Sequence, residues 1–354
     1  MRIARAVFAV LTVATSGRLG AASSHGAQPA SYAPASDGDA AAGVVAAPAG
    51  SHAARRPSSQ TTTEVPPPGT SGPLLEELAR IAAASKGTVG VAAIDVATGG
   101  VVAFNADERF KMASTFKVPV AVFALRLAQD GRLSLTEPNP VRREDMVEPG
   151  ILFEHFRHPG VAISLLNAME LSVTTSDNGA TDIILRRVGG PAAVQAWLKS
   201  RGYTEMNIGS RTVKETFAPG VAPQPVEAGA AGFDRTVTPR EMARFLADLH
   251  RGELLAAEGT TTILEMMGRT VGDRLALYLP PGTSVRHKTG TLLGGAEGVS
   301  VSDVGYVTRP NGAVVVMAVF IKNSPESVAH STRDKVIGHV ARAIYDDIQL
   351  RAAR

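Results

Sequence analysis

The sequence predicts an α/β (α+β) fold in which an antiparallel sheet, built from both chain ends, has flanking helices and carries an inserted all-helical subdomain. β-rich runs occur early, at 89–96 and 101–104, and again late, between residues 284 and 321. Roughly 160 residues between them have helical periodicity, interrupted by loops with Gly and Pro. Strands at both ends with helices between them form one layered domain when the two groups of strands share a sheet.

Helices are expected to begin and end the folded part. Apolar residues at helical spacing run from Leu74 to Ile81, and Gly87 supplies a stop. The early runs are separated by Ala97-Thr98-Gly99-Gly100, which predicts a hairpin. The inner helices are expected at 118–128, 162–173, 179–188, 191–201, 239–251 and 260–267. The late strands are expected at 284–290, 303–308 and 313–321, with a turn at 310–312 and a closing helix over 327–350.

Residues 1–22 have the pattern of a secretory signal peptide. Arg2 and Arg5 precede an apolar stretch from Ala6 to Ala14, and small residues follow at Gly20-Ala21-Ala22. The apolar stretch is too short for a permanent anchor, and the chain has no cysteine that could carry a lipid. We therefore expect a secreted or periplasmic protein with no stable membrane anchor.

Residues 23–72 differ in composition from the rest of the chain. They are rich in Ala, Pro, Ser, Gly and Thr and have hardly any large apolar residue, which predicts a disordered tether. The folded domain is expected over 73–354. Its α/β subdomain would combine 73–112 with 277–354, and its helical subdomain would cover 113–276.

Composition and charge exclude several classes of function. The absence of cysteine removes disulfides, thiolate catalysis and cysteine metal sites. The net charge is +3, of which the first 72 residues carry +2, so the domain is nearly neutral and no nucleic-acid partner is expected. His155 and His158 have no carboxylate spacing typical of zinc sites, and we expect neither a metal nor another cofactor.

The run Ser114-Thr115-Phe116-Lys117 opens an apolar helix and carries the strongest chemical signal. A serine three residues before a lysine puts a hydroxyl and an amine on one face of a helix, within reach of each other. A neutral amine there can act as a base for the hydroxyl. The helix N-terminus adds free N–H groups and a partial positive charge, which favour an alkoxide.

Two further motifs follow in order, Ser176-Asp177-Asn178 and Lys288-Thr289-Gly290, and each occurs once. The set Ser-x-x-Lys, Ser-Asp-Asn and Lys-Thr-Gly is the signature of class A β-lactamases and penicillin-binding proteins. The chain therefore resembles a class A β-lactamase or a related penicillin-recognising serine hydrolase, over roughly residues 73–350. The resemblance implies the fold predicted above, with a cleft between the two subdomains.

The resemblance also assigns catalytic roles. Ser114 is the expected nucleophile, and Lys117 is its base or proton relay. Ser176 would pass a proton to the departing ring nitrogen, since a strained amide leaves poorly as an anion. Lys288 would be a second cation that lowers the pKa of Lys117 and orients the substrate carboxylate.

Substrate-binding residues follow from the same motifs. Asn178 would hold both the lysine base and the substrate's side-chain amide, and Thr289 would bond to the carboxylate. Gly290 belongs to the same motif, and the next residue, Thr291, would supply one backbone N–H of the oxyanion hole, with the nucleophile's own N–H as the other. Asp177 points away in the family and is assigned to structure.

One family element departs from its usual pattern. Class A enzymes carry a Glu-x-x-x-Asn element whose glutamate activates the deacylating water, and counting along this chain puts that position on Thr212 or Val213. Neither residue can be a general base. Glu215 is the nearby candidate base, although no asparagine follows it at the family spacing, and a salt-bridged loop carboxylate is its alternative role.

The usual arginine counter-ion for the substrate carboxylate is also missing from the strand after Lys288. Arg269, Arg274 and Arg286 are the candidates to replace it, and the sequence does not choose among them.

These observations predict a serine hydrolase that opens a β-lactam amide through a Ser114 ester, with slow deacylation as a close variant. A D-alanyl-D-alanine peptidase-like or other cell-wall amide or ester hydrolase is the first alternative. A non-hydrolytic penicillin- or peptidoglycan-binding module is the second. The expected partner is a small β-lactam or peptidoglycan-like substrate, and the expected state is a monomer.

Overall fold

The computed structural model describes residues 70–158, 160–216, 218, 235–293 and 298–352. The predicted signal peptide and nearly all of the predicted tether lie outside these residues.

A five-stranded antiparallel sheet, in the order β2-β1-β9-β8-β7, forms the centre of the fold. The strands of the described residues are β1 Thr88–Asp95, β2 Val101–Phe104, β3 Phe110–Lys111, β4 Pro138–Pro140, β5 Ala162–Ser164, β6 Thr236–Val237, β7 Ser284–Leu292, β8 Val299–Thr308 and β9 Val314–Ser324. The first strand lies directly beside the last, with Thr88 opposite Lys322. The predicted sheet from both chain ends is therefore confirmed.

The helices of the described residues are α1 Gly72–Ala82, α2 Lys117–Gln129, α3 Ile151–His155, α4 Leu165–Thr174, α5 Asn178–Arg187, α6 Gly190–Ser200, α7 Val213–Thr216, α8 Pro239–His250, α9 Ala257–Gly268 and α10 His330–Ala352. Helix α2 is apolar on nearly all sides because it runs through the middle of the helical region, where ten of its thirteen residues are buried. No helix of the described residues is both long and apolar enough to cross a membrane.

The sheet is covered on both faces, which explains why β9 is apolar without a break from Val314 to Ile321 and why nearly all of β8 is buried. Along β9, Met317 and Val319 pack into the cluster that contains α1 and α10. Ala318 and Phe320, which alternate with them, pack into the larger cluster formed with the inner helices. One strand thus contributes to both cores.

Two local predictions differ from the structure. The helix expected from residue 162 begins at Leu165, because Ala162–Ser164 pairs with Pro138–Pro140 as a short strand. Ser164 then caps the helix by accepting a hydrogen bond from Asn167 N at 3.1 Å. Ser114 lies on a 3₁₀ turn, Ala113–Phe116, that leads into α2 rather than in the first turn of the α-helix itself.

Candidate active site

The turn that carries Ser114 is held tightly against the edge strand β7. Ala113, directly before the serine, has a φ of 46°, a backbone conformation that residues with a side chain rarely adopt. A Cβ atom on Gly290 would lie 2.7 Å from Met112 O and 2.6 Å from Ser302 Oγ, so no larger residue fits there. The sequence brings a glycine to the point where the strand must approach the turn closely.

Lys117 is fully buried, and its amine is bonded to the Ser-Asp-Asn motif. Lys117 Nζ lies 2.6 Å from Ser176 O, 3.2 Å from Ser176 Oγ and 2.8 Å from Asn178 Oδ1. Burial lowers the pKa of Lys117 well below its ordinary value, and the positive charge of Lys288 lowers it further. The amine is therefore suited to be neutral and to accept a proton.

The Ser-Asp-Asn motif divides its side chains between the site and the scaffold. Asp177 caps α5 by accepting a hydrogen bond from Ala180 N at 2.7 Å, and it also accepts one from Leu152 N at 2.8 Å. The Asn178 amide faces the lysine instead. Its Oδ1 accepts a hydrogen bond from Lys117 Nζ, and its Nδ2 donates one to Glu148 O at 3.1 Å. Asp177 thus orders the backbone around α3 and α5.

Lys288 lies on β7 and is also fully buried. Its amine donates to Thr289 O at 2.9 Å. Burial lowers the pKa of Lys288 to about 7, and the nearby Arg274 contributes in the same direction, whereas the Asp303 carboxylate opposes the shift. Lys288 therefore changes its charge close to neutral pH.

Of the three candidate arginines, Arg274 is the one whose guanidinium bonds to Gly290 and Thr291, whereas Arg286 lies on the same strand but points its side chain to the surface. Its Nη1 donates to Gly290 O at 2.9 Å and to Ser302 O at 3.0 Å, and its Nη2 donates to Thr291 Oγ1 at 2.8 Å. Arg269 instead pairs with Glu170 on the surface, and Arg286 is exposed. Sequence reasoning could not choose Arg274, because these bonds depend on tertiary contacts alone.

A cavity of about 680 Å³ connects these elements. Five of the predicted site residues line it, namely Ser114, Ser176, Asn178, Thr289 and Thr291. Lys117, Lys288 and Gly290 lie behind this lining rather than in it. Lys111, Ile151, Glu154 and Arg235 also line the cavity, and no motif in the sequence marks them.

The segment expected to carry the deacylating base presents Val213 to the cavity. Both oxygens of the buried Asp182 carboxylate hold this segment, by accepting hydrogen bonds from Val213 N at 2.7 Å and Lys214 N at 2.9 Å. Glu215 is exposed and caps the short helix α7, because its Oε2 accepts from Thr212 N at 2.7 Å while Thr212 Oγ1 accepts from Glu215 N at 3.2 Å. The structure does not bring Glu215 to the cavity.

Among the described residues, no group of three or more His, Asp or Glu side chains is placed to hold a metal ion. The site described above consists of a serine, two buried lysines and hydrogen-bonding groups.

Comparison with known proteins shows the family. The sequence model of the β-lactamase enzyme family matches residues 73–348. Because this match covers most of the chain, the protein belongs to the β-lactamase enzyme family. The resemblance stated from the three motifs is therefore confirmed.

Several relatives are similar over most of their length. The extended-spectrum β-lactamase PER-1 of Pseudomonas aeruginosa is 28% identical over 77% of this chain and 87% of its own. The β-lactamase VEB-1 of the same organism is 26% identical over 74% of this chain and 86% of its own.

Solved structures agree with these relatives. A β-lactamase from Chitinophaga pinensis superimposes with a TM-score of 0.70 at 26% identity, covering 78% of this chain and 99% of that one. The class A β-lactamase of the last common ancestor of Gram-negative bacteria has a TM-score of 0.68 at 32% identity, over the same shares of the two chains.

Proposed function

We propose that this protein is a class A serine β-lactamase that opens the β-lactam amide through an ester on Ser114. The observation that carries the proposal is the buried amine of Lys117, bonded to Ser176 and Asn178 directly behind the cavity. Burial lowers the pKa of Lys117, which favours the neutral amine that can take the serine proton. The family membership supports the same reaction.

Acylation follows from the positions of the side chains. Ser114 Oγ attacks the lactam carbonyl carbon while its proton passes to Lys117 Nζ, and the C–N bond of the ring then breaks. The hydroxyl of Ser176, 3.2 Å from that amine, relays the proton to the leaving nitrogen. The backbone N–H groups of Ser114 and Thr291 receive the negative charge that develops on the carbonyl oxygen.

The substrate carboxylate is assigned to the wall of the cavity that β7 forms. Thr289 and Thr291 line that wall, and Lys288 lies buried behind it. Arg274 reaches the same wall through its hydrogen bond to Thr291 Oγ1. Two cations and two hydroxyls match an anionic group with several acceptor oxygens.

Deacylation is the step for which this site is poorly equipped. The family's water-activating glutamate falls on Thr212 or Val213, and Glu215 is occupied in capping α7. Among the described residues that line the cavity, Glu154 is the one carboxylate. Loss of a general base costs about 10²–10⁴-fold in rate, so we expect the Ser114 ester to accumulate.

Intact-mass spectrometry of the protein with benzylpenicillin, followed over time, tests both half-reactions. We expect a rapid mass increase equal to one penicillin, followed by slow release of the hydrolysed product. Ser114→Ala should abolish the adduct, and Lys117→Ala should slow its formation at least 100-fold, since the serine loses its base. An exposed lysine on α6 gives the matched control, Lys199→Ala, which should label like the wild type.

Two carboxylate variants test whether Glu215 or Glu154 activates the water that releases the ester. Glu215→Gln and Glu154→Gln should leave the release rate unchanged if neither group activates water. An adduct that persists longer in one of them would identify that carboxylate as the base. Labelling that survives in Ser114→Ala would contradict the nucleophile assignment.

We further propose that the enzyme is exported and acts as a monomer on β-lactams or on related cell-wall amides. Sequencing the N-terminus of the protein recovered from outside the cytoplasm should show cleavage near residue 22. Light scattering should give the mass of one chain. A D-alanyl-D-alanine peptidase would instead release D-alanine from a stem-peptide mimic.

A further inference from the structure

The backbone segment that carries Arg274 lies between α9 and β7, outside any helix or strand. Such a segment depends on side chains to fix its position, because it has few ladder or helix hydrogen bonds of its own. Two buried residues of the sheet, His287 on β7 and Asp303 on β8, reach it.

Asp303 holds the segment on one side of Arg274. The carboxylate is fully buried, and its Oδ2 accepts a hydrogen bond from Leu275 N at 3.0 Å. Both of its oxygens lie 2.8 Å from His287 Nδ1. Asp303 stands directly opposite Thr289 across the two strands, so the contact links the arginine segment to the Lys-Thr-Gly strand.

His287 holds the segment on the other side. Its ring is hydrogen-bonded to the backbone of Gly272, two residues before Arg274. Gly272 has a φ of 107° and lies against Thr289, since a Cβ atom there would be 3.3 Å from Thr289 Cγ2. The pair His287 and Asp303 therefore holds the backbone two residues before Arg274 and immediately after it.

The hydrogen bonds define the charge of the imidazole. An ionised carboxylate and a backbone carbonyl only accept hydrogen bonds, so a ring placed between them must carry a proton on both nitrogens. Burial alone would disfavour that imidazolium, but the Asp303 carboxylate more than offsets it and raises the pKa of His287. The other charged groups that face the pair are the cations Lys288 and Arg274.

We propose that His287 and Asp303 are positioning residues that hold Arg274 against Thr291 and thereby set the enzyme's preference for substrates with a free carboxylate. This inference rests on the proposed function, in which Arg274 supports, through Thr291, the wall assigned to the substrate carboxylate. Neither residue lines the cavity, so neither is placed to touch the substrate itself.

The test compares benzylpenicillin with its methyl ester, which lacks the negative charge. The measured quantity is the ratio of kcat/KM for acylation by the acid to kcat/KM for acylation by the ester. Arg274→Ala should lower this ratio about 100-fold, because a charge-assisted contact is lost. His287→Asn should lower it about tenfold, through a higher KM for the acid, with little change for the ester.

A double variant separates positioning from general damage. In the Arg274→Ala background, His287→Asn should lower the ratio by less than about twofold, since the arginine it would position is gone. The half-buried His250 on α8, whose ring packs against Tyr306, provides the matched control His250→Asn, and this change should leave the ratio unchanged.

The results separate the role of Arg274 from the positioning role of His287 and Asp303. If Arg274→Ala leaves the ratio unchanged, the proposed role of Arg274 fails. If Arg274→Ala lowers the ratio but His287→Asn weakens acid and ester equally, the assignment of Arg274 stands and the positioning role is overturned. Asp303→Asn should lower the ratio at least as much as His287→Asn, because the Asp303 carboxylate also supports the charge of Lys288.

The wild-type protein offers a test that needs no variant. Nitrogen-15 NMR of the histidine side chains at pH 7 should show a His287 ring protonated on both nitrogens, identified by its contact with Gly272. A His287 ring with one unprotonated nitrogen would overturn the positioning arrangement even if neither variant can be purified.

Discussion

Near Ser114 lie two fully buried lysines, for which we propose different roles, a base and a counter-ion. Lys117 is surrounded by acceptors that belong to Ser176 and Asn178, and burial together with a second cation favours its neutral form. Lys288 is buried as deeply, but the Asp303 carboxylate supports its charge, so its pKa remains near 7. The same residue type thus serves two purposes because the neighbouring charges differ.

The pKa of Lys288 predicts an alkaline limb in the pH profile. As pH rises through about 7, the free enzyme loses the proton of Lys288 and attracts the substrate carboxylate less strongly, so kcat/KM for acylation should fall. The acylation rate at saturating substrate should begin to fall only at a higher pH than kcat/KM does, because the bound carboxylate keeps Lys288 charged. Stopped-flow acylation rates against pH measure both limbs.

Lys288→Arg is the informative variant, because an arginine stays charged throughout this range. It should remove the limb near pH 7 from kcat/KM. A limb that persists unchanged in the variant would assign it to another group.

At the scale of elements, the helices and strands were predictable to within a few residues where a regular pattern is long. Hydrophobic periodicity located the inner helices and the late strands, because apolar side chains must face one of two cores. It missed the short strand Ala162–Ser164, since three residues carry no period and their pairing partner lies more than twenty residues away.

The site was predictable from its three motifs but not from single residues. Ser-x-x-Lys, Ser-Asp-Asn and Lys-Thr-Gly located the serine, both buried lysines and the predicted site residues that line the cavity, but not the rest of its lining. The choice of Arg274 over Arg269 and the capping role of Glu215 depend on which backbone atoms lie nearby in the folded state, and spacing along the chain does not encode this.

The contact between β7 and the Ser114 turn gives a prediction about this pair of elements. Gly290→Ala should lower kcat/KM for acylation about 100-fold, because the new methyl group meets Met112 O and Ser302 Oγ and displaces the turn that carries the nucleophile. Stopped-flow measurement with a chromogenic cephalosporin gives this value.

Gly268 at the end of α9 provides the control, since an added Cβ there would meet only ordinary contacts from 3.6 Å. Gly268→Ala should acylate at the wild-type rate. Wild-type kinetics in Gly290→Ala would show that the turn can move away without loss.

At the scale of the whole molecule, the two buried lysines of the site destabilise the folded state, and packing in the two hydrophobic cores offsets this cost. Placing two ionisable amines in fully buried positions disfavours the folded state, because both are readily protonated in the unfolded chain at neutral pH. The folded pKa of Lys288 lies below its unfolded value, so the unfolded chain binds more protons between about pH 7 and 10. Stability contributed by this group therefore rises with pH in that window.

Lys288→Met should raise the melting temperature at pH 7 by several degrees while acylation falls steeply. A methionine fills a similar volume with no charge to bury, and natural active sites commonly give up stability for function. Differential scanning calorimetry and the mass-spectrometric labelling measure the two effects. Lys199→Met on the exposed face of α6 is the control, and an unchanged or lower melting temperature in Lys288→Met would contradict the argument.

The pairing of β1 with β9 has a consequence for how the chain is made. Thr88 pairs with Lys322, which is synthesised 234 residues later, so the central sheet has no partner for its first hairpin until the ribosome has nearly finished. Contacts between such distant residues slow folding, because the entropy of closing a long loop is lost before the strand pairing contributes any stability. The five-stranded sheet can therefore be completed only when translation of the chain is almost finished.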